Sequence, residues 1–561
     1  MMMKKLMITL WALASGIQAG AAVPVERIFV STDRDVYIAG DAVWCSLTSL
    51  DGNGRYSNES AVSYLELVSA SGTACTAKIG LLEGRGAGSF RIPVTTPTGI
   101  YRLVAYTAVN AGEEGTPWMA GSRLLTVYNT TSTARVPNGV ELVDEPAYEA
   151  LKRPVTAPEG ALQLSTRTRL PKGTKTALVL SNAGHKASVS LSVRHEDDLV
   201  PAARENTPAS FLKALPSDIR IKPGANPVNE FDGEIVTARI KGALMEDVDS
   251  YAEATLSTAG DPSSLYVGRA EGTDLIRYYT SNIYGNREIV CEVSKLDREG
   301  GYIDFESPFI QADAGELPKL LLSPSQRQDL VSRKAALRAE KALRIDTLTT
   351  FMTHRKDLLL ESVERRRYHL DDYTRFPSVR EILVEFIPEL SLKRVRDKWT
   401  MQLVISDAVQ SRFEKTDNIL VMMDGVILSD LDLLLDFDAM LLEDVDIYMQ
   451  TFVCGKVPFH GLVNFISKKN YVTALHFPAN VRVVDFQGIA YPVAYNGAVP
   501  EGEGQDLRQL LYWHPILNLD AGSDYRLEFT TPGYAGRFKA VAEGFTEDGM
   551  PVYQEFTFDV E

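Results

Sequence analysis

From Val25 to about Phe309, short runs of β-branched and aromatic residues recur, each closed by Gly, Pro, Asn or Asp. Arg27-Ile28-Phe29-Val30, Ala42-Val43-Trp44-Cys45 and Ser63-Tyr64-Leu65-Glu66-Leu67-Val68 are the first of them. Strands this short, separated by turn residues, bury one face each and pack best as two facing sheets, so a series of β-sandwiches is the expected architecture. Only one stretch breaks the pattern. No Gly or Pro occurs from Gln326 to Phe376, and Val331, Ala335, Ala339, Ala342 and Ile345 recur at helical spacing.

The reading divides the 561 residues as follows. Residues 1–21 combine Lys4 and Lys5, the apolar run Leu6 to Ala14 and the small-residue stretch Ala19-Gly20-Ala21, the three parts of a secretory signal peptide, so the mature chain is expected to start near Ala22. Sandwiches follow at 22–136 and 137–230. A third β-domain at 231–322 opens on Gly233 to Ile240, and 323–367 is a helical linker with a solvated charged face that includes Arg365-Arg366-Arg367. A small mixed α/β unit spans 368–470, where Ser378 and Glu381 have capping-box spacing and Asp424-Gly425 a turn signature. A C-terminal sandwich at 471–561 completes the series. The fold class is therefore mainly β, with Ig-like sandwiches, a helical linker and one small α/β unit.

Lys and Arg total 58 against 74 Asp and Glu, a net charge of −16, which argues against sequence-independent nucleic-acid binding. After the leader, no run of about 18 apolar residues is available to span a bilayer as a helix. The four cysteines, Cys45, Cys75, Cys291 and Cys454, form no C-x-x-C pair. An exported chain permits a Cys45–Cys75 disulfide, with buried free thiols the alternative.

Catalytic signatures are missing from the sequence. The seven histidines show no H-E-x-x-H spacing, and there is no G-x-S-x-G elbow, P-loop or dinucleotide fingerprint. His195-Glu196-Asp197-Asp198 reads as a solvated strand end rather than a metal site. The nine acids between Asp417 and Asp446 read as caps and loop acids rather than a calcium loop, since the Gly and terminal Glu of an EF-hand are absent. No cofactor, metal or catalytic residue is assigned.

Three segments resemble known families. Ser31-Thr32-Asp33-Arg34-Asp35-Val36-Tyr37-Ile38-Ala39-Gly40-Asp41-Ala42-Val43 resembles the opening of a macroglobulin MG2 domain, with Thr32, Asp33, Tyr37, Gly40 and Asp41 as its structural motif and Ala39 where that family has Pro. The blocks Tyr368 to Pro377, Asn418 to Val426, Glu443 to Ile447 and Gly461 to Lys468 are similar to the plug domain of TonB-dependent receptors, with Asp424, Gly425 and Gly461 in its turn and closing strand. The 91 residues after position 470 are too few for the receptor's barrel. The 231–322 segment looks like a carboxypeptidase-regulatory domain. Macroglobulins trap proteases through a Cys-Gly-Glu-Gln thioester, and here Cys454-Gly455-Lys456-Val457 lacks the Glu and Gln. These resemblances imply an envelope location in a Gram-negative bacterium, periplasmic, outer-membrane associated or at the surface, and nothing about turnover; the expected protein is an exported, non-catalytic one. Its partner would be a protein, with an outer-membrane barrel or transport machine as one form. The alternatives are a carbohydrate-active or peptidase-like enzyme with unrecognised carboxylates, and a non-covalent macroglobulin-type protease inhibitor.

Overall fold

The computed structural model describes residues 26–561 apart from 111–120, 132–138, 150–157, 202–205, 214–228, 242–253, 261, 273, 282, 294–301, 343–349, 352–362, 408–411, 455–456 and 500–504. The expected leader, 1–21, Ile345 and the Cys454 side chain lie outside the described residues.

The first sandwich is built from strands between Glu26 and Tyr128. Glu26–Thr32, Ala42–Asp51 and Arg85–Arg91 pair in one layer, and Val62–Ser69, Gly99–Tyr106, Gly121–Tyr128 and Val36–Ile38 in the other. Gly72–Leu82 joins the layers, pairing with Val62–Ser69 over most of its length and with Arg85–Arg91 at its end. Alternation along each strand sends Val43, Cys45 and Leu47 inward from one layer to meet Leu65, Leu67, Leu103, Leu125 and Val127 from the other. Gly121 permits the closest approach, because a Cβ there would lie 1.5 Å from the Ile28 carbonyl oxygen.

The second sandwich departs from the expected series. Lys175–Asn182 pairs residue for residue with Ser523–Thr530, and Ala187–Glu196 lies between Leu510–Leu519 and Gly536–Thr546. The segments expected as separate sandwiches at 137–230 and 471–561 thus build one. Each contributes half of its eight strands. Strand-level alternation marks which face is buried but carries no label for the partner that covers it. Leu178, Leu180, Leu191 and Val193 are covered by Leu511, Leu517, Phe529 and Phe538.

The third sandwich repeats the device. Ile235–Lys241, Leu275–Tyr279, Tyr302–Phe305 and Arg269–Glu271 form one sheet. Ser264–Val267, Ala254–Thr258 and Asn286–Val293 form the other, completed by Val481–Gln487 from the far side of the α/β unit. The topology is nested: the third sandwich is inserted into the second, and the α/β unit into the third.

Within that innermost unit, Arg366–His369, Leu442–Tyr448, Leu462–Ser467, Leu420–Met423 and Val426–Ile427 form a mixed sheet beside the three-stranded Leu390–Val395, Lys398–Asp407 and Arg412–Thr416. Helix Val379–Glu385 starts at Ser378, whose Oγ accepts from Glu381 N while Ser378 N donates to the Glu381 carboxylate, as the spacing predicts. Asp424 holds the unit's main turn with positive φ, accepting from Ser467 N at 2.7 Å, Ser467 Oγ at 2.7 Å and Val472 N at 3.2 Å. Gly461, at φ 133°, is pressed against Leu403, and a Cβ there would come within 2.3 Å of it.

The linker needs two corrections. Its described helix is Arg327–Ala342, whereas Thr350–Phe351 is a strand paired with Val493–Ala494, and Arg366 and Arg367 lie on a strand rather than a helix face. The predicted apolar stripe also faces outward, with Val331 55% exposed, while Arg333 and Ala336 are buried. An arginine that buries itself through ion pairs is invisible to a pattern scored on apolar residues alone.

Candidate functional site: a charged junction between the sandwiches

The macroglobulin-like motif builds a polar knot. Asp33 is fully buried. Its Oδ1 accepts from Tyr37 Oη at 2.8 Å and Trp44 N at 2.9 Å, and its Oδ2 pairs with Arg34 Nε at 3.0 Å. Burial pushes the Asp33 carboxyl and the Tyr37 phenol above their ordinary values. Thr32 Oγ1 donates to Arg34 O, and Asp41 Oδ2 accepts from Ile38 N, closing a turn in which Gly40 takes φ 102°. The motif thus fixes where Arg34 and Asp35 emerge.

They emerge into a cleft of about 990 Å³ between the first sandwich, the second sandwich and the helix Arg327–Ala342. Arg123 pairs with Asp35 at 2.8 Å and with Glu543 of the second sandwich at 2.9 Å, and donates to Val30 O at 3.1 Å. Arg194 approaches Asp35 from the other side at 3.6 Å. Arg333 holds Asp197 with bonds of 2.5 and 3.1 Å and donates to Val36 O at 2.7 Å, tying the helix to both sandwiches. Lys539 pairs with Glu196 at 2.6 Å. The two arginines hold Asp35 below its ordinary value, while burial pushes Glu543 up despite Arg123 and the Ser31 hydroxyl that donates to it.

His195-Glu196-Asp197-Asp198 is therefore not the solvated strand end expected of it. Asp197 and Glu196 are ion-paired, and His195 lies against the Phe538 ring at 5.2 Å, its pKa lowered by burial. Among the described residues, no three His, Cys, Asp or Glu side chains are grouped to hold a metal. Chemically, the junction fastens bodies together, because its acids and bases neutralise one another across domain boundaries.

A second junction joins the first and third sandwiches. Lys78 reaches both Glu234 oxygens, at 2.6 and 2.8 Å, and sits 4.1 Å from the Phe486 ring centroid. Beside it, Glu230 Oε1 accepts from Tyr64 Oη at 2.8 Å and Ile235 N at 2.9 Å, while its buried Oε2 has no partner among the described residues. Burial raises this carboxyl to about 7. Since the folded value lies above the unfolded one, Glu230 costs nothing below about pH 4.5 and lowers stability progressively as pH rises toward 7. Glu230→Gln keeps both acceptor contacts on Oε1 and cannot ionise. Relative to the parent chain it is expected to gain about 3 kcal/mol between pH 4.5 and 8, measured by urea unfolding at several pH values.

Other predicted residues act separately. Asp424 and Gly425 lie at one end of the paired strands Leu420–Met423 and Leu462–Ser467 in the α/β unit and Gly461 at the other, all remote in sequence from the Asp33 knot, and Gly425 N donates to Asn464 Oδ1 at 3.1 Å. The acidic run supplies partners for the basic one: Asp446 takes Arg367 through two 2.7 Å bonds, and Asp444 takes His369 at 2.7 Å. Cys45 and Cys75 are not bridged. Cys45 points into the core from one layer with its thiol toward Gly88 O, and Cys75 pairs opposite Leu67 in the other layer. Burial raises both thiols to about 12. Mass spectrometry of the alkylated, unreduced, denatured protein is expected to find both modified, and reductant is expected to leave the melting temperature unchanged.

Sequence reasoning missed Arg123, Arg194, Arg333 and Glu543. No local pattern marks any of them, and only the nested topology brings them together.

No family model matches this chain, and no curated protein does. Among solved structures, Salmonella alpha-2-macroglobulin reacted with methylamine is 10% identical with a TM-score of 0.24, covering 97% of this chain and 40% of that one. Trypsin-activated alpha-2-macroglobulin from Escherichia coli is 9% identical with a TM-score of 0.23, covering 96% and 42%. The Escherichia coli adhesin FdeC is 11% identical with a TM-score of 0.14, covering 53% and 64%. The chain thus spans about 40% of the first macroglobulin's length. Likenesses at these TM-scores carry no argument about activity or partners.

Proposed function

We propose that this chain is an exported, non-catalytic protein-binding protein of the Gram-negative envelope, and that the α/β unit carries its docking face. One observation carries the reading. Helix Val379–Glu385 and the neighbouring strands present aromatic, arginine and aliphatic groups outward together. Arg380 covers the Trp399 ring at 4.1 Å, with Arg394 at 5.8 Å, while Tyr373 stacks on Phe386 at 4.5 Å. Val384 is 82% exposed, one helical turn from Arg380. Aromatic and arginine side chains dominate the energetics of protein interfaces, and an aliphatic group left in water beside them favours a protein partner.

The resemblance of the plug-like blocks makes an outer-membrane barrel protein the partner of choice, and the leader-like 1–21 segment supports export. The same class of function follows from the macroglobulin-like motif at Thr32 to Asp41. The test is a crosslinked pull-down from the native membrane fraction with the full chain and with Val384→Asp, an exposed substitution that spares the core. A barrel protein recovered with the parent chain and lost with the variant is the expected result. A protease recovered instead assigns the inhibitor reading, and equal recovery by both chains overturns the docking face.

A further inference from the structure

Most buried carboxylates among the described residues are provided for, Glu230 with its unpartnered Oε2 being one exception. Glu234 has Lys78, Asp197 has Arg333, Asp446 has Arg367, and Glu26 accepts from the hydroxyls of Ser49, Ser57, Ser60 and Thr107. Glu292 departs from that rule. It lies on the strand Asn286–Val293 opposite Thr255, is 8% exposed, and has no cationic partner among the described residues. The Ser429 hydroxyl donates to it, which only partly offsets the burial that raises its pKa.

Glu292 lines a cleft of about 350 Å³ where the third sandwich meets the α/β unit. That volume falls in the range of small-ligand sites. Trp399, Met401, Ile419, Leu431 and Phe459 supply apolar walls, the exposed Asp417 adds a second carboxylate, and among the described residues no Lys, Arg or His lines the space. Arg380 and Arg394, the nearby cations on Trp399, engage its ring without lining the cleft. A cavity with an apolar wall, two carboxylates and no cation of its own is complementary to an aliphatic stem ending in a positive charge.

We propose that this cleft binds a primary alkylammonium group, the charge drawn to Glu292 and Asp417 and the stem lying along Trp399, Ile419 and Leu431. The group is either a free alkylamine or the side chain of a lysine on a bound protein. The site shares Trp399 with the docking face around Val384, but Glu292 and Asp417, which carry its charge, lie outside that face, and the inference does not depend on it.

Isothermal titration of the full chain with n-pentylamine, with Nα-acetyl-lysine N-methylamide and with n-pentanol tests the assignment. Both amines are expected to bind, with pentanol at least about tenfold weaker. Glu292→Gln, which retains an acceptor for Ser429, is expected to weaken both amines about tenfold. Asp417→Asn is expected to weaken them severalfold, and because Asp417 is exposed this second variant remains informative if Glu292→Gln fails to fold. Tighter binding of the lysine derivative assigns the site to a protein side chain, and tighter binding of pentylamine assigns it to a free amine. Pentanol binding as tightly as pentylamine, or amine affinities unchanged in Asp417→Asn and in folded Glu292→Gln, would overturn the proposal, as would neither amine binding at millimolar concentration.

Discussion

Arg123→Met is expected to lower the stability of the first and second sandwiches by about 3–5 kcal/mol, the range for removing one partner of a buried ion pair. Arg123 is 5% exposed and serves two acids, Asp35 and Glu543. Its loss leaves Glu543, 4% exposed, with the Ser31 hydroxyl and no cation that reaches it among the described residues. Asp35 keeps Arg194 at 3.6 Å. The size of the effect therefore comes mainly from one stranded charge. That has a checkable corollary: Arg123→Met combined with Glu543→Gln is expected to recover a large share of the loss, because it removes the charge as well as its partner. Urea unfolding followed by fluorescence reads both variants. A change in Arg123→Met no larger than the ~0.5 kcal/mol of an ordinary surface substitution would mean that the junction does not form in solution.

The contrast between the two kinds of motif explains how much was legible in the sequence. Gly40-Asp41 and Asp424-Gly425 were readable because turn chemistry is local. Each demands a positive φ within the turn, and Asp41 also bonds nearby backbone at Ile38 N, whereas the Asp424 carboxylate reaches Ser467 and Val472 far along the chain. The Ser378 cap was readable for the same reason. The sandwiches at 22–136 and 231–322 were readable as β-structure from alternation, yet the latter's eighth strand, Val481–Gln487, was not, since its pattern matches any half-buried strand. Arg333 shows the sharpest failure. Scored as a solvated charge on a helix, it is 7% exposed and joins three bodies, which only the position of Asp197 reveals. Polar junctions between nested domains depend on long-range pairing, and no local signal encodes it.

Ending the chain after Asp506 is expected to abolish the second sandwich and spread damage to the first, although every residue of 137–230 is retained. The truncation removes Leu510–Leu519, Ser523–Thr530, Gly536–Thr546 and Pro551–Val560, half the strands of that sandwich. Leu178, Leu180, Leu191 and Val193, all 0% exposed in the intact fold, lose their cover. Burying each such side chain contributes about 1.5–3 kcal/mol, so together they rival the roughly 5–15 kcal/mol that holds a whole domain folded. The strand Lys175–Asn182 would also be left with one open edge, and Ala187–Glu196 with two, which favours aggregation. Glu543 leaves with the truncation, so Arg123 keeps Asp35 but loses its partner in the second sandwich. A serial arrangement makes the opposite prediction, because a self-contained 137–230 sandwich would be indifferent to losing 507–561. Limited proteolysis with mass mapping separates them: rapid cleavage between Leu162 and Glu196 in the truncated chain, suppressed when a 505–561 fragment is added in trans, is the result nested pairing requires. Unchanged protection of that segment would restore the serial arrangement and leave the cross-domain ion pairs without a structural role.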